Sequence, residues 1–207
     1  MRNILTLLSA AALLSVPVSA QARGFNSDFS QSITGPIKLK VVASEDLAHR
    51  ANNLPEGKFQ RGSRGRLNAA FSNNGHYGDR EITYLLEEME EEIARHFSKR
   101  GITLSDNSPT ILKVTIERVK PNRPTFNQLK VDSSLSFKSF SVGGADITAN
   151  ITSSSGEVLG QADYDYYSSF NDRPAQGLGT WSDARRAFSF FSMRLSKKLS
   201  SVGASSS

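Results

Sequence analysis

Cysteine is absent from this chain. No disulfide can staple the fold, no thiolate can hold a metal or attack a substrate, and no N-terminal cysteine can carry a lipid. Tryptophan occurs once, at Trp181, and histidine three times, at His49, His76 and His96. Only Glu92 and His96 share a helix face, at i, i+4. Without two further ligands at fixed spacing that pair reads as a surface salt bridge, not as half of a metal centre. The chain also lacks a GxSxG nucleophile elbow, a Walker phosphate loop, an HExxH pair and a GxGxxG turn between strand and helix. Neither a metal nor a cofactor is expected. Acidic residues are only mildly outnumbered, with Lys and Arg at 25 against Asp and Glu at 20. That excess does not call for nucleic acid as a partner.

Long hydrophobic runs are scarce as well, and the single one stands at the start. Arg2, an apolar stretch over 4–16 and the small residues Val18, Ser19 and Ala20 predict a secretory signal peptide over 1–20. Cleavage is expected after Ala20, or after Ala22 by the "AQA" reading. The stretch is shorter than the roughly 20 residues that span a bilayer. A soluble mature chain without a transmembrane segment, periplasmic or secreted, is therefore expected. Its stability must come from its core alone.

Downstream of the leader, 21–35 is polar with scattered Phe25, Phe29 and Ile33 and reads as a flexible arm. "PIKLKVV" alternates Ile37, Leu39 and Val41 against lysines, the period of a half-buried strand. Residues 44–78 show no sustained period and read as a long basic loop, with a short element around Leu67, Ala69, Ala70 and Phe71. Asp79 is placed as N-cap of a helix whose Ile82, Leu85, Leu86, Met89, Ile93 and Phe97 form one stripe, with Gly101 as its left-handed stop. "ILKVTIERV" alternates as a second strand, and "KPNRPTFNQ" breaks it. "ADITANIT" and "VLGQADYDYY", joined by "SSSGE", read as a β-hairpin.

The only tryptophan opens the last element. "TWSD" has the form of a capping box, with Thr180 as N-cap and Asp183 reaching back to it. Trp181, Ala184, Phe188, Phe191, Leu195 and Val202 then share a helical face flanked by Ala187 and Leu199. Trp181 is read as sealing the core and not as a platform for a ligand. The order predicts an α+β, two-layer sandwich: a largely antiparallel sheet of about four strands with two amphipathic helices on one face. A single domain over 36–200 and a disordered tail over 201–207 complete the reading.

Chemistry is sparse within that frame. Asp163 and Asp165 sit at i, i+2 on one strand, with Asp146 on its partner. Such carboxylates on the 145–167 hairpin are the alternative, a hydrolase of unknown type. They fall on the polar face of an amphipathic hairpin, where solvated carboxylates are expected. Asn150, Ile151 and Thr152 match a glycosylation acceptor but lie inside a predicted strand. The basic loop stands out more, with Lys58, Arg61, Arg64 and Arg66 clustered among glycines. A cationic loop of that kind can wrap phosphates or acidic polymers, so these four residues are the candidate anion- or partner-binding site.

The leader, the strand and helix order, "GGADITANITSSSGEVLG" and the closing "TWSDARRAF" helix together resemble small periplasmic α/β envelope domains. Such domains occur in penicillin-binding-protein activators, in curli-secretion lipoproteins and in their relatives. The resemblance covers about 36–199 and rests on pattern. It implies a non-catalytic binding or assembly role toward an envelope protein, or an anionic envelope polymer or lipid. This chain departs from it in lacking a lipidation cysteine and in its long basic loop, and no functional residue is carried over.

Overall fold

Alternating apolar residues build a five-stranded sheet. In the computed structural model, which describes residues 24–29, 33, 35–54, 69–169 and 179–204, the strands are β1 (Phe25–Phe29), β2 (Lys38–Ala43), β3 (Ile111–Lys120), β4 (Gly144–Thr152) and β5 (Val158–Tyr167). Their order is β1-β5-β4-β3-β2. The β2/β3 pair is parallel and every other pair antiparallel. The helices are α1 (Glu45–His49), α2 (Asp79–Ser98), α3 (Phe126–Val131) and α4 (Ser182–Ala204).

Because a strand sends alternate side chains to opposite faces, Leu112, Val114 and Ile116 of β3 join Ala145, Ile147, Ala149 and Ile151 of β4 on one buried face. α2 and α4 cover that face with the stripes expected of them. Leu85, Met89, Ile93, Phe97, Phe188, Phe191 and Leu195 are all fully buried. The two helices run parallel. Contacts between them climb in step, from Trp181 on Glu81 through Arg185 on Glu88 to Arg100 on Ser196. The result is a two-layer α+β sandwich, as expected, with a mixed and not wholly antiparallel sheet.

Several local expectations change. Phe25–Phe29, expected within a flexible arm, is an edge strand on β5, with Phe25 facing Tyr164 and Phe29 facing Gly160. The Phe29 ring occupies the space that a Cβ on Gly160 would need. Phe25 packs its ring on Tyr164 and Phe191, so burial of Phe29 and partial burial of Phe25 offset the cost of ordering this short strand. The expected loop over 44–78 contains α1, capped by the Ser44 side chain, which accepts from the Leu47 amide at 3.1 Å. It also contains a 3-10 turn, Ala69–Asn73. Asp79 is not the N-cap of α2; Gly78 is, and the Asp79 carboxylate accepts instead from Asn52 Nδ2. α2 does stop at Gly101 with φ 70°, the Ile102 amide closing on Phe97 O at 3.0 Å. α4 runs on to Ala204, past the expected start of the tail. Ser200 and Ser201 donate their hydroxyls to carbonyls one turn back.

Trp181 is 3 % exposed and meets Tyr77 edge-on at 5.6 Å. Its Nε1 donates to Glu81 Oε2 at 2.5 Å. It closes the core where α2 and α4 begin, as the stripe implied. Among the described residues no helix is long and apolar enough to cross a membrane.

Candidate functional site

Lys58, Arg61, Arg64 and Arg66 lie outside the described residues, but both anchors of their loop are described. The chain departs at Leu54 and returns at Ala69–Asn73. Leu54 and Phe71 line one groove of about 490 Å³, closed on its other side by α3 and the residues that follow it. That volume is in the range of sites for small ligands or side chains.

The groove is built from a capping box that the prolines hide. Pro121 and Pro124 end β3 and steer the chain into α3. Thr125 then accepts from the Gln128 amide at 3.2 Å, while Gln128 Oε1 accepts from the Thr125 amide at 3.0 Å. This turns the Gln128 side-chain amide inward, where Nε2 donates to the carbonyls of Phe71, Asn74 and Gly75 at 2.8 to 3.1 Å. From the other side Asn53 O takes the His76 amide at 3.2 Å. That oxygen stands where a Gly75 Cβ would be, so only glycine lets the two stretches of chain approach so closely.

Held between α1 and α3, His76 adopts φ 58°, the one positive value at a non-glycine among the described residues. A left-handed histidine costs about 1–3 kcal/mol and persists where its surroundings over-determine it. Its carbonyl accepts from Thr125 Oγ1 at 3.2 Å, and the residue lines the groove beside Asn74 and Asp132. Asp132 is already engaged, its Oδ1 accepting from the Ser134 amide and hydroxyl at 2.9 and 2.6 Å. The groove therefore offers apolar walls, amide and hydroxyl groups and one imidazole. It is suited to binding.

The segment between β3 and β4 carries features that periodicity does not signal. Phe126, Val131 and Phe137 are 62 %, 61 % and 72 % exposed, more than any other large hydrophobic described. Lys130 lies over the Phe126 ring at 4.7 Å, and Arg123 Nη1 donates to the Phe137 carbonyl at 3.1 Å. The sequence signal is the recurrence of bare apolar residues next to lysine in a segment without a period.

The hairpin carboxylates stand elsewhere, on the sheet face away from α2 and α4. Asp146 and Asp165 are cross-strand partners and Thr148 faces Asp163. Asp146 Oδ2 pairs with Arg118 Nε at 3.0 Å, and burial holds its pKa above the usual carboxylate value. Asp163 accepts from Asn26 Nδ2 at 2.9 Å. Neither residue lines the groove that holds His76. Glu92 Oε2 lies 3.6 Å from His96 Nε2 and also pairs with Arg95. Glu92 and His96 are half-buried and not the surface salt bridge that their spacing suggested, and burial lowers the His96 pKa.

Asp183 does not close a capping box with Thr180. It is 1 % exposed, and its Oδ2 accepts from Asn122 Nδ2 at 2.5 Å, from the Gly143 amide at 3.0 Å and from the Ser168 hydroxyl. In return the Asp183 amide donates to Asn122 Oδ1 at 2.9 Å. One carboxylate thus ties the exits of β3 and β5 and the entry of β4 to the first turn of α4. The nearby Thr180 carbonyl takes the Asn122 amide at 2.7 Å.

No known protein family's sequence profile matches the chain, and no curated protein matches it. Among solved structures it is similar to a dodecamer of a singly substituted PelC from Paraburkholderia phytofirmans, at 8 % identity and a TM-score of 0.41 over 86 % of this chain and 96 % of that one. A second PelC dodecamer from the same organism gives 9 % and 0.37, over 85 % and 93 % of the two chains. A minor lipoprotein from Acinetobacter baumannii gives 14 % and 0.27, over 56 % of this chain and 84 % of that one.

Proposed function

We propose that this chain is an exported, non-catalytic binding or assembly domain that acts at the cell envelope and contacts an anionic component there. The contact surface is the end of the molecule formed by α3 and the groove beside it. One observation carries the reading: Leu54 and Phe71, at the two anchors of the loop with Lys58, Arg61, Arg64 and Arg66, both line that groove. Four cations lie within nine residues of sequence between these two anchors, and Lys130 and Lys138 follow in and beyond α3. Like charges held this close repel one another, and an anionic partner offsets the repulsion in a salt-dependent way.

The test replaces Lys58, Arg61, Arg64 and Arg66 with Gln and measures binding to lipopolysaccharide, to peptidoglycan sacculi and to anionic vesicles at low and high salt. The parent protein binds at least one of the three at low salt, binding weakens as salt rises, and the substituted protein binds less. Equal binding by both, or none by the parent at low salt, overturns the reading.

A further inference from the structure

We infer that the α3 end docks on the surface of an anionic phospholipid bilayer, with Phe126, Val131 and Phe137 entering the boundary between headgroups and acyl chains. This rests on the reading of that end as the contact surface and names what it contacts. Exposed apolar side chains are ordinary when scattered singly. Here the three most exposed large ones among the described residues all belong to one short segment at one end of the fold.

Each has a cation as its neighbour. Lys130 lies over the Phe126 ring and precedes Val131, Lys138 follows Phe137, and Arg123 holds the Phe137 carbonyl. Between Arg123 and Phe140 the only carboxylate is Asp132, which is occupied by Ser134. Apolar tips alternating with ammonium groups match a membrane interface. The rings and the lysine stems sit among the upper acyl carbons while the charged ends reach the phosphates. A protein partner would have to strip water from those lysines to reach the phenyl rings. A lipid surface receives both at the depth each prefers.

The buried Trp181 makes a direct test possible. It is the only tryptophan and is 3 % exposed, so Phe137→Trp adds a reporter whose emission change comes from position 137. The whole protein is mixed with phosphatidylglycerol or phosphatidylcholine vesicles, separated by flotation and followed by fluorescence. The expected result is flotation with phosphatidylglycerol and not with phosphatidylcholine, with a blue shift of the new tryptophan. The triple variant Phe126→Ser, Val131→Ser, Phe137→Ser, folded by circular dichroism, should partition at least about a hundredfold less.

No flotation with phosphatidylglycerol at low salt, flotation without the blue shift, or equal flotation of the triple variant each overturns the inference. So does a concentration-dependent dimer that the triple variant abolishes, since a second copy would then cover this face. Binding to sacculi or lipopolysaccharide without binding to vesicles sinks the lipid assignment alone and leaves the anionic contact standing.

Discussion

At the scale of single residues, three buried polar groups do most to position the groove end: Gln128, Tyr77 and Asp183. Tyr77 donates its hydroxyl toward the carbonyls of Ser72 and Val119, and burial pushes its pKa up to about 12. The folded protein therefore holds the phenol neutral while the unfolded chain ionises near pH 10. Stability is fully present below about pH 10 and falls as pH rises from there toward 12, by up to about 3 kcal/mol from this group. Tyr167 is shifted in the same direction by burial and steepens the fall. Urea midpoints measured from pH 8 to 11.5 should drop above pH 10, and Tyr77→Phe should flatten that drop. A pH-independent midpoint would contradict the burial of both phenols. Trp181→Ala, which removes the ring packed on Tyr77 and its bond to Glu81, should cost about 3–5 kcal/mol in urea unfolding followed by circular dichroism. A loss below about 1 kcal/mol would mean that the core closes without it.

At the scale of elements, α3 is too short to stand on propensity and depends on its capping box. Thr125→Ala removes the side-chain cap and the hydroxyl that holds the His76 carbonyl. It should cost about 1–2 kcal/mol and speed amide exchange over 71–78 while α2 and α4 stay protected. Unchanged exchange there would show that α3 does not hold that segment. The same element shows what can be read from sequence. α2, α4 and the β4/β5 hairpin are legible because each repeats its apolar period over many residues. α3 is not, because the flanking prolines read as a break although Thr125 and Gln128 stand at capping-box spacing. β1 is hidden by its brevity, with only Phe25 and Phe29 to mark a face. Asp183 misleads for another reason. Its local spacing fits a cap, whereas its partners Asn122, Gly143 and Ser168 are brought in by the tertiary fold.

At the scale of the whole molecule, polar groups separate from the core by faces and ends. α2 and α4 seal one face of the sheet, the other carries carboxylates engaged with Arg118 and Asn26, and the α3 end gathers the groove, the bare aromatics and the anchors of the basic loop. On the proposed function this end, and not the polar sheet face, meets the envelope. Hydrogen exchange of the whole protein, with and without membrane vesicles from the producing cell, tests it most directly. Added protection is predicted over 69–78 and 123–140 and should fade with rising salt, with β4 and β5 unchanged. Protection confined to the 145–167 hairpin, or absent throughout, would contradict the account.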